Sequence, residues 1–340
     1  MSWTPPDKVI ITGGRYVGGV GSFAEGLCSG LRELGVSAEV IAPSQLLSRI
    51  GELRSRRVLK ILSTFGMLSV PFARRAIGIV HGVPLVPWRG WSKTVTDFIC
   101  YKLTSYNPSA RLVSVSDYIA AHMYSFYGIR VDAVVRNSIK PLFLEPCPDS
   151  EPRNYITYVG RLIPIKNVHR LLPAMRDVMN ENSDLRACII GNGPEEEYLR
   201  KMVENDARFE FRGDADDVTV RSYLRRTRVF VSGHPTEGFG ITYAEALSQG
   251  CVLAMPASGG GIEIALSQVG NMVQLLPISL DHGQVVDVLR RAVKTTGCPV
   301  SMEDYSPRTI AAGYLDVDRR FYERQSYSAK VTAGIERFQP

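Results

Sequence analysis

Residues 235–263 read P-T-E-G-F-G-I-T-Y-A-E-A-L-S-Q-G-C-V-L-A-M-P-A-S-G-G-G-I-E, and an apolar run, Val229-Phe230-Val231, leads into them. The order is strand, glycine loop, helix-compatible run (Ile241 to Ser248), second apolar strand, and a triple glycine ending at Glu263. That is the layout of a phosphate or sugar-phosphate site in an α/β domain. Gly238 and Gly240, flanking Phe239, let the backbone approach a ligand, and the free N–H groups of the helix start at Ile241 favour an anion. Glu237 stands just before that start. Glu245 follows about two turns along, on nearly the same face. Two carboxylates would repel a diphosphate, so their natural partners are hydroxyls, of a sugar at one end and a ribose at the other. Either acid alone is equally explained by the helix dipole or by an ordinary surface position. Together with the second glycine loop they indicate a site.

The composite E-G-F-G-x4-E-A, then Gly250, then G-G-x-x-E at Gly259 to Glu263, resembles the nucleotide-sugar site of the retaining family-four glycosyltransferases. These enzymes have the two-domain B-type fold (GT-B). The resemblance implies two Rossmann-like doubly wound domains facing each other across a cleft. It also implies a nucleotide diphosphate sugar as donor and a hydroxyl acceptor, a glycan or a lipid-linked sugar.

The chain as a whole is compatible with that. Its 340 residues suit two domains, each with its own core. No apolar run is long enough to span a bilayer, and no basic-then-apolar leader opens the chain, so a cytoplasmic protein is expected, with peripheral attachment to the inner face of the membrane as an option. Six scattered cysteines without a C-x-x-C pattern read as reduced thiols and no metal site. The net charge of +6 suits phosphates or an anionic lipid surface. The bases are dispersed and not interleaved with aromatics, which argues against nucleic acid.

From the start, Lys8 to Thr12 reads as a strand and Gly13-Gly14 with Gly18-Gly19-Val20-Gly21 as a glycine loop. Helix Phe23 to Leu34 and strand Val36 to Ile41 complete a βαβ opening of a parallel sheet. The spacing does not fit the dinucleotide fingerprint, and Ala42-Pro43 stands where its acid would be. In the resemblance, Gly18 and Gly19 approach the donor phosphate or the acceptor; a tight strand-to-helix turn explains each glycine equally. Residues 45–76 combine Arg49, Arg54, Arg56, Arg57, Lys60, Arg74 and Arg75 with the largely apolar Val58 to Val70. Two readings stand: an amphipathic stretch lying on an anionic membrane, or a domain helix with a solvated basic face. Ala76 to Val80 reads as a strand ending at His81, where open α/β sheets bind ligands. The resemblance puts a functional histidine at such a strand end, and a structural histidine is the alternative.

A proline-rich linker, Pro141 to Pro152, divides a first domain (1–145) from a second (146–318), and the terminal helix (about 319–340) is expected to return to the first. The second domain opens with strand Tyr155 to Val159, then Arg161 and Lys166, whose cations can neutralise a pyrophosphate. The resemblance matches both residues to the donor-phosphate pair. It places Gly213, at the end of strand Phe209 to Arg212, against the nucleotide base. Arg161, Lys166, Glu237 and His81 are thus the expected catalytic set. Gly18, Gly19, Gly213, Gly238, Phe239, Gly240, Ile241 and Glu245 are the expected donor-binding set. No cofactor and no metal are expected: Asp214-Ala215-Asp216 matches D-x-D but follows a strand at a surface turn, and the cation pair takes over charge neutralisation. The competing readings are a nucleotide-sugar epimerase of the same fold, and a non-catalytic protein that keeps the nucleotide-sugar site.

Overall fold

A computed structural model describes residues 3–13, 19–82, 91–145, 147, 152–268 and 270–336. The chain divides into two compact units, residues 1–138 with 304–340 and residues 139–303. Each is built on a six-stranded, wholly parallel sheet, so the doubly wound α/β class stands.

The first sheet contains β1 (Lys8–Thr12), β2 (Ser37–Ile41), β3 (Val58–Ser63), β4 (Ala76–Val80), β5 (Ala110–Ser114) and β6 (Ala133–Val134), in the order β2-β1-β3-β4-β5-β6. The second contains β7 (Tyr155–Val159), β8 (Arg186–Ile190), β9 (Phe209–Gly213), β10 (Thr227–Val231), β11 (Val252–Pro256) and β12 (Val273–Leu276), in the order β12-β11-β10-β7-β8-β9. Central strands are buried on both faces, as parallel sheets covered by helices require: every residue of β3, β4 and β11 is buried. In each unit the strand order reverses once, between β1 and β3 in the first and between β7 and β10 in the second. The crevice at the carboxyl ends beside such a reversal is where open α/β sheets take ligands.

The basic stretch 45–76 is neither a membrane-lying helix nor a domain helix. It is a short helix (Ile50–Arg54), then β3, then a 3-10 segment (Thr64–Phe72). The first half of the apolar run, Val58–Ser63, is an interior strand, and its one base, Lys60, is fully buried, with Nζ donating to Ser55 O and Val58 O at 2.8 Å. Burial, with Arg75 adding its charge, lowers Lys60 to about 7 despite Asp318 and Glu52.

The unit boundaries have physical causes. Residues 139–145 pack on the second sheet's helices: Gln249 Nε2 donates to Phe143 O at 3.0 Å, and Lys140 Nζ meets Asp217 at 2.6 Å. The terminal helix, Pro307–Glu336, belongs to the first unit from its first turn. A Cβ on Gly30 would stand 1.9 Å from Pro307 O, so glycine permits that close crossing with helix Gly19–Glu33. Arg75 and Asp318 form a buried ion pair at 2.6 Å that ties the same helix to the edge of β4.

Candidate functional site

The carboxyl edge of the second sheet is assembled from glycine contacts. After β7, Gly160 N–H donates to Ile190 O at 3.0 Å, and Gly191 N–H donates to Gly213 O at 2.7 Å. A Cβ on Gly191 would fall 2.0 Å from Gly160 O, and one on Gly193 would fall 2.3 Å from Leu162 O. The ends of β7, β8 and β9 are therefore drawn into backbone contact that only glycine allows. Gly213 closes β9 with φ +60° and open space beside it.

At the reversal between β7 and β10 the structure brings Lys166 and Glu237 together, with Nζ 2.7 Å from Oε2. Lys166 ends a 3-10 turn, Pro164–Lys166, that follows β7; Glu237 lies in the loop after β10. Asn167, left-handed at φ 52°, fixes the turn by donating to Gly233 O at 3.0 Å. Burial pushes the Glu237 carboxyl up, yet Lys166, His234 and the Gly238 N–H outweigh it and hold the acid down at about 2. It stays ionised at all working pH. Arg161 lies exposed at the start of the same turn, with its cation in reach of solvent.

The second glycine loop supports the first. Gly260 N–H donates to Glu237 O at 2.6 Å, and Ser258 Oγ donates to Pro235 O at 2.5 Å. A Cβ on Gly259, whose φ is +80°, would stand 2.8 Å from Glu237 O. Both loops lie against one buried ring: Cβ atoms on Gly240 and Gly261 would each strike Tyr243, at 2.5 and 2.4 Å. Tyr243 is anchored through its hydroxyl to Ser232 Oγ at 2.7 Å. Gly240 takes φ +89° to start helix Ile241–Ser248, and Gly261 opens helix Gly261–Gln268, so Glu263 sits in a first turn, not in a loop. Phe239 is 2% exposed, which leaves its backbone as the part a ligand can reach.

Glu245, in the second turn of its helix, is buried. Burial raises its carboxyl to about 8, with Asp217 adding to the rise and Lys140 opposing it. It is the opposite of Glu237: one acid is held charged, the other is protonated near neutrality.

Two residues of this edge were missed by sequence reasoning. Tyr243 looks like any helix-interior aromatic; its signal is the glycine on either side of it in the folded chain. His234 lies one residue before the stretch that carries the motif. Its Nδ1 accepts from Thr236 N–H at 3.0 Å. Burial, then the charge of Lys166, lowers it to about 4, although Glu237 pulls the other way.

In the first unit His81 follows β4, as expected for a strand-end histidine. Its Nε2 lies 2.9 Å from Ser63 Oγ at the end of β3, and its ring stands edge-on to Phe23 at 4.8 Å. Ser63 N–H in turn donates to Thr12 Oγ1 at 2.8 Å. Gly19 opens helix Gly19–Glu33, and Gly18 lies outside the described residues. Asp216 of the D-x-D match caps helix Asp217–Arg225, accepting from Thr219 N–H at 2.8 Å. The six cysteines are free thiols. Among the described residues no helix is long and apolar enough to cross a membrane.

Comparison with known proteins places this geometry. Residues 146–276 match the family model for glycosyl transferases group 1. An uncharacterised glycosyltransferase of Bacillus subtilis (strain 168) is 21% identical over 188 residues, 53% of this chain and 52% of that protein. The phosphatidyl-myo-inositol mannosyltransferase of Mycolicibacterium smegmatis is 28% identical over 145 residues, 41% of this chain and 37% of that protein. The chain therefore spans about half the length, or less, of these curated relatives. Among solved structures, Anabaena HepE in complex with UDP superposes with a TM-score of 0.65 at 13% identity, over 94% of this chain and 100% of that one. WaaG, a glycosyltransferase of lipopolysaccharide biosynthesis, gives a TM-score of 0.65 at 15% identity, over 93% and 95%. At such identities the superpositions establish the fold, that of GT-B glycosyltransferases.

Proposed function

We propose, from the membership of residues 146–276 in the group 1 glycosyl transferases, that this chain moves a hexose from a nucleotide diphosphate sugar to a hydroxyl acceptor with retention at the anomeric carbon. The observation that carries the reading is the Lys166–Glu237 pair, set in a double glycine cradle at the strand-order reversal of the second sheet. In this reading Lys166 and Arg161 neutralise the diphosphate and stabilise the charge that develops as it departs, the kind of electrostatic help that is worth most in catalysis. Glu237, kept ionised, accepts hydrogen bonds from sugar hydroxyls. Glu245 meets the ribose, and the backbone from Gly238 to Ile241 with Gly213 frames the nucleotide. The bond from the anomeric carbon to the diphosphate breaks as the acceptor oxygen bonds on the same face, and the acceptor's proton passes to the departing diphosphate. With two cations on the phosphates the step needs no metal ion. His81, after β4 of the first unit, is the candidate for contact with the transferred sugar or the acceptor.

The test is a panel of nucleotide sugars offered with soluble and lipid-linked acceptors, with the product's anomeric configuration read by NMR. The proposal expects an axial donor to give an axial product, and transfer to collapse in R161A/K166A. Inverted product, or transfer that survives the double change, contradicts it.

A lipid-linked acceptor at an anionic bilayer is favoured by a second observation. Helix Trp91–Tyr106 carries an apolar stripe on its outer face: Val95, Ile99, Leu103 and Tyr106 are exposed, whereas Thr94, Asp97 and Thr104 are buried with Cys100 and Tyr101. The 3-10 segment packed on it exposes Phe65, Leu68 and Phe72. Contiguous exposed apolar surface marks an interaction site, and here its charged neighbours are basic: Lys102, over the Phe98 and Tyr106 rings, and the exposed Arg74. The acid of the helix, Asp97, is hidden, and the 3-10 segment has none. The mycobacterial relative is named for a phosphatidylinositol substrate. Vesicles containing phosphatidylserine should sediment the wild type but not I99E/L103E, with binding that weakens as salt rises. Equal binding by the variant contradicts a bilayer at this face.

A further inference from the structure

The imidazole of His234 is placed as a ligand group, and nothing in the donor-site reading above uses it. It stands in the loop after β10, between the strand end and Glu237, at the reversal of strand order. The loop that carries it is fixed from two sides. Asn167 donates to Gly233 O at 3.0 Å, and Thr236 N–H donates to the imidazole Nδ1 at 3.0 Å. A nitrogen that accepts a hydrogen bond carries no proton, so the neutral ring bears its proton on Nε2. Among the described residues no other residue is hydrogen-bonded to Nε2, and His234 is only half-buried, so this donor is open to a ligand.

We propose that His234 is a donor-site residue whose neutral imidazole gives its Nε2–H to the diphosphate of the sugar nucleotide. The proposal rests on the nucleotide-sugar reading and adds to it a third group on the phosphates. Its chemistry complements that of its neighbours. A cationic imidazolium here would compete with Lys166 for the Glu237 carboxylate and leave the ammonium more weakly held. A neutral ring supplies a directed hydrogen bond without disturbing that pair. Burial and the neighbouring cations, Lys166 and Arg161, keep the ring in that form, outweighing Glu237 and a hydrogen bond to the residue's own backbone, which pull toward protonation. Hydrogen bonds to a charged partner are the strong kind.

The experiment separates a ligand role from a loop role by using what each nitrogen does. Asn at 234 keeps a side-chain oxygen able to accept from Thr236 N–H, as in an Asx turn, but has no atom where Nε2–H stands. Gln extends an amide N–H toward the Nε2 position. Titration calorimetry with UDP and with GDP on the full chain, alongside thermal melts, is the measurement. The expected result is an unchanged melting temperature in H234N with affinity for the preferred nucleotide reduced roughly 10- to 100-fold, and partial recovery in H234Q. H234N that binds as the wild type does, while H234A melts lower, shows a loop role only and overturns the proposal. Wild-type protein that binds neither nucleotide overturns the donor-site reading together with this one. Wild-type binding left unchanged by H234N overturns this one alone.

Discussion

Each unit contains one conspicuous ion pair, and the two are built for different ends. Arg75 and Asp318 are closed off, with side chains 3% and 2% exposed. Four of the five guanidinium N–H groups are used: Nε and Nη2 meet the two carboxylate oxygens, Nη1 donates to Arg56 O, and Nη2 also donates to Thr4 O. Trp3 Nε1 donates to the same carboxylate at 2.7 Å. Lys166 and Glu237 are only partly covered, 18% and 25%, and stand at a sheet edge with backbone drawn back around them by glycine. A charge with all its partners supplied by the protein has nothing left for a ligand. A charge with one partner and an open side keeps its remaining hydrogen-bonding capacity for one. Satisfaction, more than the presence of an ion pair, separates the structural pair from the one proposed to be functional.

The contrast can be broken first at the buried pair. Removing one partner leaves an uncompensated charge in the interior, so R75A or D318A should lose about 3–5 kcal/mol of stability, read by denaturant unfolding. Arg75 also holds φ +140°, a conformation non-glycine residues avoid, so the pair restrains strained backbone as well. Replacing both with apolar residues, as in R75M/D318L, should cost less than either single change. A single change that leaves the unfolding curve in place contradicts the structural role.

A smaller effect distinguishes the two acids of the second unit. Glu245 has a folded-state value of about 8 against an ordinary 4.5, so between those values the folded protein holds a proton that the unfolded chain has lost. Stability from this group therefore falls as pH rises through that window. E245Q, which cannot ionise, should gain on the wild type by roughly 1–3 kcal/mol between pH 5 and pH 8. Glu237 is depressed, so its contribution is present at neutral pH and lost only as pH falls toward 2. Parallel stability curves for E245Q and wild type would refute the raised value.

Much of this was legible in the sequence where local chemistry and tertiary structure agree. Alternating strand and helix signals gave the doubly wound class, and the glycine loops marked the edge that Lys166 and Glu237 share. Ser116, a residue type that favours helix starts, caps helix Asp117–Tyr127 by accepting from Ile119 N–H. The failures share a cause. The stretch 45–76 looked amphipathic because bases from Arg49 to Arg75 surround the apolar Val58 to Val70, and only long-range packing shows that one of them, Lys60, is capped by carbonyls inside a sheet. The pairing of Lys166 with Glu237, seventy-one residues apart, needs β10 laid beside β7, a crossover no local period encodes. His234 was missed because its meaning depends on those same two neighbours.

The central claim is that the open pair is a nucleotide-sugar site, and equilibrium binding tests it most directly. UDP and GDP would be titrated into wild type, K166A and D318A, with melting temperatures recorded for each. The account predicts that K166A loses roughly 10- to 100-fold in affinity for the preferred nucleotide while melting above D318A, since a hydrogen bond to a charged partner is worth about 1.5–3 kcal/mol. Nucleotide affinity in K166A equal to that of the wild type would contradict it.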